Sequence, residues 1–180
     1  MQTPPPEFFD DIHIHGLYGP TRLTSISPDA TIDTPPGEAW YSVGIHPWDT
    51  DNPPDDADWL KLEKLARDPR VAAIGECGLD ALRGGPAERQ EAIFARQAAI
   101  SDDVGKFMII HCVRRYGRLM ELKKLLKPSV PWVIHGFRGK PELARQLSAA
   151  GFGLSVAADS SLPELLPDIH FFHETDEPAG

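Results

Sequence analysis

Five of the seven histidines in this 180-residue chain close short apolar runs: His13 and His15 in FDDIHIHG, His46 in YSVGIH, His111 in FMIIH and His135 in PWVIH. Short runs rich in apolar and β-branched residues read as buried strands. Where such runs alternate with stretches of helical spacing the chain is α/β, and active sites collect at the carboxyl ends of the strands. A lone histidine there is usually structural. Five at equivalent positions point to one shared rim with a chemical task.

Strands are expected over residues 8–15, 22–26, 41–46, 71–75, 107–111, 132–135, 152–156 and 169–174. Helices are expected over 58–67, 86–101, 115–126 and 141–149, with a short turn near 162–166. Pro86 and Pro141 suit first-turn positions, and Gly151 suits a helix stop. Parallel neighbours need a crossover of about a dozen residues, yet only residues 16–21 separate the first two runs. Residues 22–26 are therefore expected to be antiparallel, at an edge, or loop. Residues 27–39, with three prolines and no apolar face, read as loop.

The length, with 41% apolar and 25% charged side chains, fits a single domain over residues 1–180. No apolar run approaches the roughly 20 residues of a membrane span, and MQTPPPEFFDD lacks the charged and apolar regions of a signal peptide. A cytoplasmic protein without membrane contact is expected. Cys77 and Cys112 each sit inside an apolar run and read as buried free thiols. No heptad or exposed apolar helix face calls for a protein partner, so a monomer is expected.

His13 and His15 lie two apart, so on a strand they face the same side and can grip one metal ion. Glu76, in AAIGECGLD, and Asp176, in HETDEP, supply acidic partners at matching strand ends. Imidazoles with carboxylates suit Zn²⁺, Mn²⁺, Fe²⁺ or, with more oxygen ligands, Mg²⁺. A carboxylate between two groups of imidazoles can bridge two ions.

The net charge of −9 argues against nonspecific coating of nucleic acid, but residues 104–146 hold ten Lys and Arg against two acids. Lys123, Lys124 and Lys127 fit a solvated helix face. Arg114 and Arg115 follow His111, and Arg138 follows His135, so these three are candidates for forked hydrogen bonds to phosphate. Trp48, two residues after His46, is a candidate for stacking on a base. His170 and His173 flank FF and read as structural.

In order along the chain, FDDIHIHG, SVGIHPWD, AAIGECGLD, MIIHCVRR, VIHGFRG and HETDEP resemble the motifs of the TatD-like metal-dependent deoxyribonucleases, a branch of the amidohydrolase superfamily. The resemblance runs from Phe9 to Pro178. It implies a distorted (β/α) barrel of the TIM type holding up to two divalent ions, Mg, Mn or Zn, with DNA as substrate. By position, His13, His15 and Asp176 match the ligands of one ion, His111 and His135 those of the other, and Glu76 the bridging carboxylate. His46 matches a residue close to phosphate. Glu76 and Asp176 are thus the catalytic candidates, Asp176 orienting the attacking water or accepting its proton.

Family members often carry an arginine two residues after the His111 equivalent; here Cys112 and Val113 intervene and Arg114 and Arg115 follow. HCVRR with HGFRGK looks like a shorter subgroup with its own pocket. A full barrel of this type takes about 250 residues, so a minimal one is expected, lacking outer helices at the first two strand connections and after Asp176. Two other readings stay open at this point. One keeps the metal site for an ester or amide substrate, as in relatives resembling aminoacyl-tRNA deacylases; the other is a non-catalytic metal- or nucleic-acid-binding protein.

Overall fold

The computed structural model describes residues 3–176; Glu177 and Pro178, the end of the HETDEP motif, lie outside the described residues. Eight strands follow one another around a single sheet: β1 (Asp11–Ile14), β2 (Arg22–Ile26), β3 (Trp40–Val43), β4 (Val71–Asp80), β5 (Phe107–Val113), β6 (Trp132–Ile134), β7 (Phe152–Ala157) and β8 (Phe171–Glu174). Every neighbouring pair is parallel. The end of β8 returns to β1, where the Asp176 N–H donates to the His13 carbonyl at 3.2 Å. Thr175 donates to the Asp11 carboxylate from its hydroxyl at 2.6 Å and from its backbone at 3.2 Å. The sheet is a nearly closed barrel, as expected.

Helices α1 (Asp56–Ala66), α2 (Ala87–Val104), α3 (Tyr116–Leu126), α4 (Pro141–Ala149) and the single-turn α5 (Leu162–Leu165) follow β3 to β7 in turn. Their starts obey local chemistry. Asp55 and Asp58 exchange side-chain and backbone hydrogen bonds at the head of α1, satisfying N–H groups that a helix start leaves open. Pro86 stands one place earlier than expected, as the N-cap of α2, whereas Pro141 opens α4. No helix among the described residues is long and apolar enough to cross a membrane.

Strand periodicity divides the core. Met108, Ile110, Trp132 and Ile134 face outward and pack under Phe94 and Leu119 of the helices. Ile109, Val133 and Phe172 belong to a second cluster. Two residues on along the same faces come His111, His135 and Glu174. The barrel interior is therefore apolar at its floor and becomes polar at the carboxyl rim.

Two expectations are corrected. Residues 22–26 form neither an antiparallel strand nor an edge nor a loop: β2 lies between β1 and β3 and is parallel to both. The dozen-residue crossover presumes strands of ordinary length. The β1 strand has four residues, about 13 Å, so a seven-residue extended connection of up to about 24 Å returns the chain without a helix. The outer helices are accordingly absent after β1 and β2, as expected; the stretch after Asp176 lies outside the described residues.

The second correction concerns β4, which runs ten residues to Asp80 instead of stopping at Gly75. Its pairing with β5 shifts register between Ile74 and Cys77. At Gly75 and Gly78 the φ angles are +148° and +152°, and an added Cβ would lie 2.2 Å from the Ile109 carbonyl oxygen and 1.9 Å from that of His111. Only glycine allows that approach. The bulge between them carries Glu76 and turns its carboxylate into the rim.

Candidate metal centre

Glu76 stands at the middle of a ring of imidazoles supplied by four other strand ends. Its Oε1 lies 2.7 Å from His135 Nε2, 2.8 Å from His46 Nε2 and 3.0 Å from His111 Nδ1. Its Oε2 lies 3.2 Å from His13 Nε2 and 3.8 Å from His15 Nε2. Asp176 completes the second side, with Oδ1 3.5 Å from His13 Nε2 and 3.9 Å from His15 Nε2. The six residues expected as metal ligands are thus brought together, and His46 joins them.

Each position has a local cause. His13 is on β1 and His15 just beyond it, so both rings reach the same rim. His46 follows β3 and caps a short 3₁₀ turn, Pro47–Asp51, its Nδ1 accepting from the Trp48 N–H at 3.1 Å. With Nδ1 so engaged, Nε2 is the nitrogen that points at Glu76. Asp176 has φ +41°, in the left-handed region that Asp tolerates better than most residues.

Donor atoms fall into four overlapping groups, each with atoms within 4.8 Å of one another: His13, His15 and Asp176; His13, Glu76 and His135; His46, Glu76 and His111; His135, Glu174 and Asp176. The first group matches the expected set for one ion. The second and third divide His111 and His135 between separate clusters that share Glu76. His13 Nδ1 and Nε2 and His135 Nδ1 are buried without a hydrogen-bond partner, a costly state for an imidazole unless something takes its lone pair. A divalent ion does so, and the donor set of imidazole and carboxylate suits one.

Two carboxylates here escaped the sequence reading. Glu174 is buried on β8; its Oε2 accepts from the Ser155 hydroxyl at 2.6 Å and lies 3.8 Å from His135 Nδ1. Asp80, at the end of β4, lies 3.0 Å from His111 Nε2 through Oδ2, which also accepts from Trp48 Nε1 at 2.7 Å. Alternation was the available signal: Glu174 is two residues from Asp176, and Asp80 is four from Glu76.

The rim opens into a cavity of about 440 Å³ lined by His15, Ser25, His46, Trp48, His111 and Asp176 among others. Arg114 and Arg115, at the β5–α3 turn, do not line it. Arg138 lines a separate cavity with Asp159 and Ser161, beyond β6 and β7. Trp48 is 43% exposed. Cys77 and Cys112 are free and buried, as expected.

Burial opposes charge at this centre, and the neighbours overcome it. For His13, burial lowers proton affinity, but the Asp176 and Glu76 carboxylates push its pKa up to about 9. Burial alone would raise Glu76, yet His135 and the other imidazoles hold it far below the usual carboxylate range. His111 is raised by Glu76 and Asp80 against its own burial, and Asp176 is lowered by His13 against its burial. Protons and divalent cations thus compete for the same imidazole nitrogens.

That competition has a consequence for metal-free protein. The His13 pKa is about 9 folded against 6.5 in the unfolded chain, so its contribution is complete below about pH 6.5 and is lost as the pH rises towards 9. Lys106, buried and lowered to about 8, acts in the opposite sense above pH 8. Stability in chelator is therefore expected to fall by roughly 1.5 kcal/mol between pH 6.5 and 8. Urea midpoints across that range measure it, and a flat or rising profile contradicts it.

A family model described as TatD related DNase matches residues 27–179. Similar curated proteins include the 3'-5' ssDNA/RNA exonuclease TatD of Musicola paradisiaca, 35% identical over 156 residues, covering 79% of this chain and 58% of that protein. The protein of the same description from Edwardsiella piscicida is 34% identical over 158 residues, covering 79% and 59%. The chain spans somewhat over half the length of these relatives. Among solved structures, a TatD homologue from Escherichia coli K12 superposes with a TM-score of 0.67 at 24% identity, covering 77% of this chain and 58% of that one. A TatD family hydrolase from Entamoeba histolytica gives 0.66 at 20% identity, covering 87% and 61%. At these identities the structural likeness speaks for the fold.

Proposed function

Because the chain belongs to the TatD related DNase family, we propose that it hydrolyses phosphodiester bonds in DNA with divalent ions held at the Glu76 centre, residues 1–180 acting as one domain. The observation that carries this reading is the division of Glu76, one oxygen facing His13 and His15 and the other facing His46, His111 and His135. His13, His15 and Asp176 would hold one ion and His111 and His135 another, with Glu76 between. Bound ions supply Lewis acidity, which makes a nucleophile of water at neutral pH and takes up charge on the phosphodiester.

The chain's own groups do the rest. Asp176, held below its usual range by His13, is ionised and placed to accept the proton of the attacking water. His46, fixed through Nδ1 and with Nε2 turned towards Glu76, lines the cavity close to where the phosphate would lie. Arg114, Arg115 and Arg138 contact phosphates farther along the strand. The two relatives named above act on ssDNA or RNA, so single-stranded DNA is the first substrate to test. Magnesium, a cytoplasmic setting and a monomeric state complete the proposal, the setting supported by the two unpaired buried thiols.

Incubation of the purified protein with labelled single-stranded DNA tests it. Cleavage is expected with Mg²⁺ or Mn²⁺, none in chelator, and recovery when metal is restored. Folded protein that cleaves no DNA with metal in excess overturns the reading. In the same assay, Arg138→Ala is expected to flatten the salt dependence of DNA binding; an unchanged slope removes Arg138 from the phosphate contacts.

A further inference from the structure

We infer that Arg83 and Trp48 form a nucleotide subsite beside the metal centre, Arg83 binding a backbone phosphate next to the scissile bond and Trp48 supporting the adjoining base. The inference rests on the nuclease reading and adds a binding pair to it.

The Arg83 guanidinium carbon lies 4.4 Å from the centre of the Trp48 ring. Of the cation–π contacts among the described residues, this alone involves a ring that lines the metal-site cavity. The Trp48 ring stands edge-on to two imidazoles of the centre, 4.8 Å from His46 and 5.6 Å from His111. A guanidinium placed over an indole can still offer N–H groups to an anion. Arg83 uses none of them: among the described residues its side chain makes no hydrogen bond and no ion pair.

The backbone beneath Arg83 is fixed from both sides. Asp80 Oδ1 accepts from the Leu82 N–H at 2.7 Å and the Arg83 N–H at 3.2 Å. The buried Gln90 amide donates to the Arg83 carbonyl at 3.0 Å and to the Gly85 carbonyl at 2.9 Å. The other oxygen of Asp80 holds Trp48 Nε1 and lies against His111 Nε2. One buried carboxylate thus ties the indole, the loop bearing Arg83 and an imidazole of the metal centre into a single rigid unit. An incidental exposed stack needs no such anchoring. A preorganised guanidinium at a phosphodiester cleft does.

The position also answers a charge problem. Glu76, Asp80, Asp176 and Glu174 make the rim acidic, while Arg114, Arg115 and Arg138 stay outside the cavity. Arg83, stacked on a lining side chain, is a cation placed to draw a polyanion onto that rim.

Arg83→Met, which keeps the stem and removes the charge, tests the pair against two substrates in the metal-loaded protein. One is a labelled single-stranded 12-mer; the other is bis(p-nitrophenyl) phosphate, a diester with no neighbouring nucleotide. The ratio of kcat/KM for the 12-mer over the small diester is expected to fall about tenfold, mainly through KM. The log–log salt slope for 12-mer binding should fall by about 0.7, the share of one single-strand phosphate. An unchanged ratio and slope, or a parallel loss on both substrates, overturns the subsite. Wild-type protein that cleaves the small diester but never the 12-mer overturns instead the nuclease reading on which the subsite rests.

Discussion

Glu76→Gln is expected to lower metal-dependent hydrolysis at least 10³-fold, about 4 kcal/mol of transition-state stabilisation, and to remove bound metal. The reason is geometric. Among the described residues the carboxylate is the one group within reach of His13, His15, His46, His111 and His135 together. A neutral amide of the same shape keeps one uncharged acceptor oxygen and puts an NH2 donor in place of the other, so the imidazoles on both sides lose their counter-charge and those on one side also lose their acceptor. Metal content by mass spectrometry and turnover on DNA measure the two losses. The variant carries a second signature: with Glu76 neutralised and only Asp176 and Glu174 left to favour the proton, His13 binds it less tightly, so the fall in chelator stability from pH 6.5 to 8 should shrink. Turnover within tenfold of wild type would contradict the central role of Glu76.

Gly78→Ala is expected to cost more than about 4 kcal/mol of stability, enough to prevent accumulation of folded protein. The new Cβ would meet the His111 carbonyl oxygen at 1.9 Å, and that atom belongs to a paired strand with no room to retreat. The same methyl at Gly117 meets nothing within 4 Å and lies in the first turn of α3. Gly117→Ala should therefore gain about 0.5–1 kcal/mol through helix propensity. Thermal melts of the pair give a contrast of sign as well as size. A Gly78→Ala protein that melts within a few degrees of wild type would show that the strands at the Glu76 bulge can move apart.

The strands and histidines were legible because both depend on local pattern. Apolar, β-branched runs such as FMII and WVI bury on both faces of a parallel barrel, and a histidine at the end of each run falls on the rim by alternation alone. What was misread depends on length and on backbone approach. The place of β2 is not legible in the sequence because a crossover rule for ordinary strands does not bind a connection that starts from the four-residue β1. The apolar run ends at Gly75, so the sequence places the strand end there, whereas in the fold that glycine admits the Ile109 carbonyl and β4 continues to Asp80.

The basic residues illustrate the remaining limit. Arg114 and Arg115 follow His111 closely in sequence, but Arg114 has φ +55° and Arg115 is the N-cap of α3, and neither lines the cavity. Arg83 sits in a loop with no apolar period, and only the Asp80 and Gln90 hydrogen bonds reveal where it is held. Asp80 and Glu174 were missed because a carboxylate in sequence is presumed solvated, while their partners come from distant strands.

The seam between β1 and β8 has a kinetic meaning. Thr175 and Asp11 are 164 residues apart, so joining them closes the longest loop of the barrel, and such pairings form late and slowly. His13 and His15 stand on one bank of that seam and Asp176 on the other. An ion held by these three would also be a rivet across the joint, so saturating metal should slow reopening of the ring and lengthen the unfolding half-life.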